Sequence, residues 1–418
     1  MSSLDRHLDL GFSFDPAPLG GDTLSLFSDW RKAGKLGFLS LPGDSALLGQ
    51  SLELAASVPP SVRTVIVDGI GGSALGLRAL LSACPMRSGG RRTLVVDSPD
   101  EATLESVRSG EDPSSSLLVV VTKSGTTAET LAIFLDLWEW FSAGRAEPRV
   151  VAITDPESGD LRRLAEARGW PSLPVPRNVG GRYSVLSPVG IFPAALAGVD
   201  VEGLLLGAAE ALADFDEGGA ESLPARIAAG SLARFRSHPV AVFFTYCDAL
   251  YDTGLWFAQL WAESLGKGKD LSGNPVCTGQ TPLACRGPAD QHSLVQLFME
   301  GPADKFVTIL SVEKDARPLP GGFGGYPAIE WLEGRSVQEL RNAEAIATSQ
   351  ALRERGLPVA ELHVRGLLDA AAMGRLLMAY EIATVLTGLA LGVNPLDQPG
   401  VERGKQLTFR EMGREGYR

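Results

Sequence analysis

The stretches VIVDGIGGSALG, residues 65–76, and LLVVVTKSGTTAET, residues 117–130, decide the fold of this chain. In each stretch a run of β-branched and other apolar residues ends abruptly. Glycine or hydroxyl residues follow before a helix-forming segment begins. Such a junction presents backbone N–H groups and side-chain hydroxyls at a helix N-terminus, where an anion is favoured. Two of these junctions predict a site for a phosphorylated ligand.

Strand-like and helix-like segments alternate outward from these two junctions. Short apolar runs typical of buried strands are residues 65–67, 93–96, 117–121 and 150–153, and the helical stretches are residues 75–84, 102–107, 128–141 and 161–167. A looser alternation follows, with strands expected at 240–246, 306–312 and 359–364 and helices at 255–265 and 367–391. Apolar strands that alternate with helices indicate a parallel sheet covered on both faces.

The expected fold is therefore α/β, with two doubly wound parallel-sheet domains, each an α/β/α sandwich. A chain of 418 residues is longer than one ordinary core needs, which also favours two domains. The domains are expected to join near residues 198–219, and the Gly/Pro-rich residues 318–327 to form a surface loop. The predicted bounds are an N-terminal extension, 1–45, a first domain, 46–205, a second domain, 206–393, and a C-terminal arm, 394–418.

Composition excludes several classes of protein. The net charge of −12 without a Lys/Arg-rich run argues against nucleic-acid binding, which needs a basic face. The apolar residues 382–393 are too few to span a bilayer, and the charged N-terminus lacks the apolar core of a secretory signal. The cysteines, Cys84, Cys247, Cys277 and Cys285, show no metal or redox spacing. We therefore expect a cytoplasmic protein with no metal, cofactor or membrane partner.

The first junction also fits a dinucleotide fingerprint. Gly69, Gly71 and Ala74 have the G-x-G-x-x-A spacing after a strand, and Asp97 ends the next strand, where a ribose-binding acid would lie. This pattern alone would suggest an NAD-dependent dehydrogenase. The pattern is loose, however, and open α/β sheets produce it often.

The second junction favours one terminal phosphate over a dinucleotide. Its cluster, Thr122, Lys123, Ser124, Thr126 and Thr127, has more hydroxyls than a dinucleotide site needs. The structural alternative is that Ser124 or Thr126 only caps the following helix, and capping and binding are compatible. We interpret the cluster as a phosphate site.

Two further stretches carry polar residues that the fold alone does not require. In NVGGRYS, residues 178–184, the paired glycines let the backbone approach a ligand, and Arg182 follows them. Gln259 and Glu263 are four residues apart on one face of an apolar helix, where a partly desolvated carboxylate could act as a general base. The alternatives are a surface arginine paired with an acid, and an ion pair from Glu263 to Lys267 worth about 0.3–0.5 kcal/mol.

Two single residues complete the candidates. His292 lies in DQHS, which opens a helix, and Lys405 follows the turn in DQPGVERGK, residues 397–405. A lone histidine is more often structural than catalytic, and Lys405 could be a solvated lysine of the C-terminal arm. Neither residue identifies a function by itself.

Taken together, these motifs closely resemble those of the glucose-6-phosphate isomerase (phosphoglucose isomerase) family, in its compact bacterial form. GIGGS, TKSGTT, GGRYS, ESLGK, QHS and DQPGVERGK occur here in the family order between about residues 65 and 405. Each motif is weak or moderate alone, but six in order are highly specific. The resemblance implies two sugar-isomerase (SIS) domains and an aldose–ketose isomerase of class EC 5.3.1.9, active in glycolysis and gluconeogenesis.

The resemblance also implies roles for individual residues. Glu263 matches the base that moves a proton between C2 and C1 of the sugar, and Arg182 matches the group that stabilises the enediolate. His292 and Lys405 match residues associated with ring opening, and His292 implies a homodimer because this histidine comes from the neighbouring subunit. The residues expected to bind substrate or its phosphate are Gly72, Ser73, Thr122, Lys123, Ser124, Thr127, Gly181, Gln259 and Gln398.

Two alternatives share the phosphate loops. A dual phosphoglucose/phosphomannose isomerase is typically shorter and lacks the full C-terminal motif, and activity on mannose 6-phosphate would reveal it. A non-catalytic SIS sensor of sugar phosphates would need the hydroxyl loop but not Glu263, His292 and Lys405 together. The presence of all three favours the enzyme.

Overall fold

Two five-stranded sheets form the frame of the protein, whose structure is a computed structural model that describes residues 3–142, 148–313 and 316–416. A two-stranded antiparallel ribbon accompanies them. The strands are β1 (Leu8–Phe12), β2 (Thr64–Asp68), β3 (Arg92–Val96), β4 (Ser116–Val121), β5 (Val150–Thr154), β6 (Ser172–Pro174), β7 (Val240–Thr245), β8 (Lys267–Lys269), β9 (Pro275–Thr278), β10 (Thr281–Arg286), β11 (Lys305–Val312) and β12 (Val359–Val364).

Helices separate the strands. The α-helices are α1 (Gly21–Lys32), α2 (Ser45–Ser57), α3 (Leu75–Ala83), α4 (Glu101–Gly110), α5 (Ala128–Ser142), α6 (Asp160–Arg168), α7 (Pro188–Ala197), α8 (Val201–Gly218), α9 (Leu223–Arg234), α10 (Tyr251–Leu265), α11 (Leu294–Glu300), α12 (Pro327–Glu330), α13 (Val337–Glu354), α14 (Ala370–Ala390) and α15 (Glu402–Glu411). Short 3-10 helices occur at Gly71–Ser73, Gly181–Tyr183, Ala289–His292 and Pro399–Val401, among other places.

The first sheet has the order β3-β2-β4-β5-β6, and every pair in it is parallel. All residues of β2, β4 and β5 are buried, because helices cover both faces of the sheet. The strand order reverses direction between β2 and β4, which makes this pair the topological switch point. Ligands of open α/β sheets bind outside the carboxyl ends of the strands at such a point. The two sequence junctions that predicted a phosphate site follow these two strands.

The second sheet has the order β1-β12-β11-β7-β10. Its β7, β10, β11 and β12 are parallel, and β1 pairs antiparallel with β12. Apart from β1, the order is again that of a doubly wound sheet, with its switch point between β7 and β11. The predicted α/β class with two related units is therefore confirmed.

The largest hydrophobic core lies between the two sheets, and α14 is its central helix. α14 is long and apolar enough to cross a membrane by length and composition, yet 89% of its most apolar window is buried inside the protein. Side chains of α8, α9 and α10 pack on it. Smaller cores cover the outer face of each sheet.

The domain bounds expected from the sequence stay predictions, but three features of the chain bear on them. Strand β1 lies within the expected N-terminal extension and adds an edge to the second sheet. The predicted boundary at residues 205 and 206 falls inside α8. The expected C-terminal arm contains α15, which has no buried residue.

Candidate active site

The loop after β2 packs tightly against the turn that carries Arg182. A Cβ added to Gly72 would lie 2.3 Å from the carbonyl carbon and oxygen of Gly181. Gly71 has a φ of +57°, and a Cβ there would lie 2.9 Å from Nε2 of Gln259. Only glycine allows both approaches, since the first would displace backbone and the second needs the left-handed region. The loop therefore joins the Arg182 turn to helix α10. The half-buried Ser73 ends this loop and precedes α3.

The loop after β4 gathers its hydroxyl groups at the start of α5. Oγ1 of Thr122 and Oγ1 of Thr127 are 2.8 Å apart, and Oγ of Ser124 lies 3.4 Å from Oγ1 of Thr127. The backbone amide of Thr126 donates to Oγ of Ser124 at 3.2 Å. This bond of Ser124 lies within its own loop, before α5 begins, while the clustered hydroxyls stand beside a helix N-terminus. This is a suitable cradle for a phosphate.

Lys123 lies in the hydroxyl loop, but its ammonium group does not join the hydroxyl cluster. Nζ donates to the backbone carbonyls of Arg177 and Val179, both at 2.8 Å. Burial lowers the pKa of Lys123, and the nearby Asp155 partly opposes that shift. The lysine connects the loop after β4 to the segment before the Arg182 turn, so both loops converge on that turn.

Arg182 is the most completely bonded side chain of the site, with 1% of its side chain exposed. A guanidinium has five N–H donors. Nε donates to Oγ of Ser264 at 2.7 Å, Nη1 to Glu263 Oε2 at 3.1 Å and to Gln398 Oε1 at 2.9 Å. Nη2 donates to the carbonyls of Pro395, at 2.6 Å, and Asp397, at 3.0 Å. The guanidinium is thus fixed in plane and direction, contrary to the surface arginine that the sequence left open.

Glu263 is held at both carboxylate oxygens. Oε2 accepts from Arg182, and Oε1 accepts from Nε2 of Gln259 at 3.0 Å. Its side chain keeps 31% exposure, so the carboxylate is open on one side. The alternative ion pair between Lys267 and the Glu263 carboxylate is not formed. Nζ of Lys267 donates instead to the backbone carbonyl of Glu263 at 2.8 Å. That ammonium pairs instead with Asp397, 3.0 Å from its Oδ1.

The remaining two candidates make no side-chain hydrogen bond or ion pair with this cluster among the described residues. His292 is exposed at the end of a 3-10 helix, and its side chain makes no hydrogen bond among the described residues. Lys405 lies on α15, is 53% exposed, and donates to Oε1 of Glu402 at 2.8 Å. α15 follows the Pro399–Val401 turn and has no buried residue, so Lys405 faces solvent. The assignment of Lys405 to the site stays a prediction.

The sequence profile of the phosphoglucose isomerase family matches residues 53–413, most of the chain. The chain belongs to this family. Glucose-6-phosphate isomerase of Rubrobacter xylanophilus is 43% identical, over 91% of this chain and 90% of its own length. All the motifs described above lie within the matched region.

Solved structures agree with this assignment. A hypothetical protein of Thermus thermophilus superposes with a TM-score of 0.87 at 36% identity, covering 94% of each chain. Glucose-6-phosphate isomerase of Chlamydia trachomatis gives a TM-score of 0.76 at 25% identity, over 87% of this chain and 73% of its own. The fold of the Chlamydia trachomatis isomerase thus extends over 87% of this chain.

Residues that suggested a dehydrogenase have other roles in this family member. Asp97 pairs with Arg78 at 2.5 Å, so the acid that would hold a ribose is engaged by a neighbouring helix. In residues 3–142, 148–313 and 316–416, no group of three or more His, Cys, Asp or Glu side chains could hold a metal ion.

Sequence reasoning gave no role to Tyr183 and Ser264, and it considered Lys267 only as the partner of Glu263 in an ion pair. Tyr183 and Ser264 bond to each other beside Arg182, and Lys267 bonds the Asp397 segment. All three stand next to motif residues that were singled out, and that adjacency was the signal available. Lys267 bonds the nearby Glu263, but the other bonding partners of these residues lie more than 80 residues away along the chain. Contacts over such separations could not be predicted from the sequence.

Proposed function

We propose that this chain interconverts D-glucose 6-phosphate and D-fructose 6-phosphate, with Glu263 as the base and Arg182 as the enediolate-stabilising cation. The observation that supports the proposal most strongly is the hydrogen bond from Arg182 to Glu263. The loops after β2 and β4 both contact the segment that carries this arginine. Ring opening, proton abstraction and proton return are the steps that the residues must supply.

Substrate phosphate would bind at the hydroxyl cluster of Ser124, Thr122 and Thr127. Their hydroxyl oxygens lie within 3.5 Å of one another and beside the N-terminus of α5, so donors converge on one point. Ser73 lies at the N-terminus of α3 across the switch point. Anchoring the phosphate there places the sugar carbons at a fixed distance from α10, and the binding energy orients them.

Proton transfer follows from the placement of the Glu263 carboxylate. Gln259 and Arg182 hold its two oxygens, which leaves a lone pair free to accept the C2 proton and return it at C1. Oε1 of Gln259 is buried without a partner among the described residues, so its capacity to accept a hydrogen bond is unused in the free chain. Nη1 of Arg182 is the nitrogen nearest the reacting carboxylate. Glu263 and Gln398 engage both of its hydrogens in the free chain, so it would donate to the oxyanion that develops on the enediolate in place of one of these bonds.

Ring opening is assigned to His292 and Lys405, and it requires a homodimer. His292 is exposed and has no hydrogen-bond partner in the described part of the chain, as expected of a residue that completes a neighbouring site. Lys405 is carried by the exposed α15, a short turn after Gln398, which bonds Arg182. A proton donor and acceptor at the ring oxygen and the anomeric hydroxyl would give the open-chain sugar.

A cytoplasmic location is part of the same proposal. All four cysteines are free thiols, and Cys84, Cys247 and Cys285 are buried. Free thiols in a chain of this length suit a reducing compartment.

The test is turnover of fructose 6-phosphate, coupled to glucose-6-phosphate dehydrogenase and followed as NADPH, with EDTA present. We expect turnover by the wild type and a loss of roughly 10³-fold or more in Glu263→Gln, which keeps the side-chain shape but not the base. Glu166→Gln is the matched control, because Glu166 is 61% exposed and pairs with Arg162 on the surface. A wild type that binds the sugar phosphate without turnover would contradict the proposal and favour a sensor.

A further inference from the structure

Arg182 belongs to a closed ring of buried hydrogen bonds. Nε donates to Oγ of Ser264 at 2.7 Å, and Oγ of Ser264 lies 2.9 Å from the hydroxyl of Tyr183. That hydroxyl donates to the carbonyl of Pro395 at 3.4 Å, and Nη2 of Arg182 donates to the same carbonyl at 2.6 Å. All four contacts are in the interior, since Arg182, Tyr183 and Ser264 are at most 2% exposed.

The donors of the ring can be assigned without placing hydrogens. A carbonyl has no proton, so the tyrosine hydroxyl must donate to Pro395 and can only accept from Ser264. The Ser264 hydroxyl then gives its single proton to Tyr183, and its oxygen receives the Nε–H of Arg182. Each donor is used once. Three bonds run from Nε of the arginine through Ser264 and Tyr183 to the Pro395 carbonyl, and the fourth runs from Nη2 to the same carbonyl.

We propose that Ser264 and Tyr183 are positioning residues that set the plane of the Arg182 guanidinium for catalysis. The ring holds the Nε and Nη2 edge, so Nη1 alone faces the carboxylate of Glu263 and the amide of Gln398. Rotation about the arginine side chain would break two ring contacts at once. The proposal rests on the proposed role of Arg182 in stabilising the enediolate.

Tyr183 is held in place within the hydrogen-bond ring by aromatic packing. Its phenol ring is stacked on the ring of Phe38, with centroids 5.0 Å apart and an interplanar angle of 28°. Burial, and to a smaller extent the carboxyl of Glu381, raise the pKa of Tyr183, so the phenol stays protonated and able to donate. Among the described residues, Glu263 is the carboxylate that forms an ion pair with Arg182. The ring thus directs the charge without neutralising it.

The experiment compares Ser264→Ala, Tyr183→Phe and the double variant with the wild type in the coupled assay. Ser231→Ala is the control, since Ser231 is also buried and bonds a backbone carbonyl of its own helix. We expect Ser264→Ala to lower kcat by roughly 10–100-fold, because a misdirected group costs on that order. The KM should stay within about threefold. The two single losses should not multiply in the double variant, because both open one ring.

A second readout separates positioning from folding. A hydroxamate analogue of the enediolate, carrying the same phosphate, should bind Ser264→Ala more weakly by about the same factor as kcat falls. Binding of fructose 6-phosphate should change little, and far-UV circular dichroism should match the wild type. A folded Ser264→Ala with kcat within twofold of wild type would overturn the proposal, as would a hydroxamate affinity that does not change. If Ser264→Ala does not fold, a folded Tyr183→Phe with unchanged kcat and hydroxamate affinity overturns it instead.

Arg182→Lys distinguishes the failure of this proposal from the failure of the proposed function. If Arg182→Lys loses turnover while Ser264→Ala does not, the ring proposal alone is wrong. If Arg182→Lys keeps wild-type turnover, the assigned role of the arginine is wrong, and the ring has no catalytic consequence.

Discussion

Replacing Arg182 with lysine tests the most strongly bonded residue of the site. Arg182 satisfies five acceptors, two of them the carbonyls of Pro395 and Asp397, while an ammonium has three donors from a single point. At least two of these five hydrogen bonds are therefore lost. The lysine stem is also too short to place its charge where Nη1 stood.

The magnitude follows from burial. Breaking a buried ion pair costs about 3–5 kcal/mol, and Glu263 is 31% exposed, so water offsets part of that cost. We therefore expect the free energy of unfolding to fall by about 2–3 kcal/mol in Arg182→Lys. Removing one preorganised donor from a developing oxyanion costs about 10²–10³-fold in kcat. The fall in kcat should exceed the rise in KM.

The assay is the coupled turnover of fructose 6-phosphate, together with urea unfolding followed by tryptophan fluorescence. Arg163→Lys is the matched control, because Arg163 is 79% exposed and pairs with Asp160 one turn away. It should keep wild-type kcat and stability. Wild-type kcat in a folded Arg182→Lys would refute the reasoning, since the planar fork would then be dispensable.

Three further changes have expected outcomes. Gly72→Ala should raise the KM for fructose 6-phosphate roughly tenfold or more, because the new Cβ would lie 2.3 Å from the backbone of Gly181. Gly43→Ala is the control and should leave the KM unchanged, since there is open space where its Cβ would lie. An unchanged KM in Gly72→Ala would contradict the close packing of this loop on the Arg182 turn. Burial raises the pKa of Glu381 in the folded protein. As the pH rises from the pKa that Glu381 has in the unfolded chain towards its pKa in the folded protein, the wild type should lose stability relative to Glu381→Gln by about 1.4 kcal/mol per pH unit. The urea midpoints of the two proteins, compared at pH 5 and pH 8, contradict this if both proteins shift by the same amount. Refolding inactive His292→Ala together with inactive Glu263→Gln should restore about a quarter of wild-type activity. Half of the dimers then contain one chain of each variant, and each such dimer has one complete site of its two. No recovery of activity would contradict the contribution of His292 across the interface.

Much of the fold could be predicted because buried parallel strands leave a strong apolar pattern. β2, β4, β5, β7 and β12 all fall where the sequence places them. The strands without a prediction are at edges or short. β10, at one edge of the second sheet, has Pro282 within it, and β1 is paired on one side only. Edge strands need less apolar sequence and tolerate proline, so their pattern is weaker.

The site was predictable at the level of motifs but not of contacts. The hydroxyl loop and the pair of Gln259 and Glu263 lie where the sequence indicates. The ammonium of Lys123, however, bonds the backbone carbonyls of Arg177 and Val179, distant along the chain, because desolvation at the loop base is compensated there. The sequence left open whether Lys405 joins the site or stays in solvent, since an exposed helix and a docked one can share the same polar pattern.

The most direct test of the account is deuterium incorporation into fructose 6-phosphate and glucose 6-phosphate in D2O, by the wild type and by Glu263→Gln, followed by NMR. The account predicts that the wild type places solvent deuterium at C1 of the ketose and C2 of the aldose. Glu263→Gln should bind the sugar phosphate with nearly unchanged affinity and incorporate none at either carbon. Incorporation by the variant at the wild-type rate would contradict the assignment of Glu263 as the base.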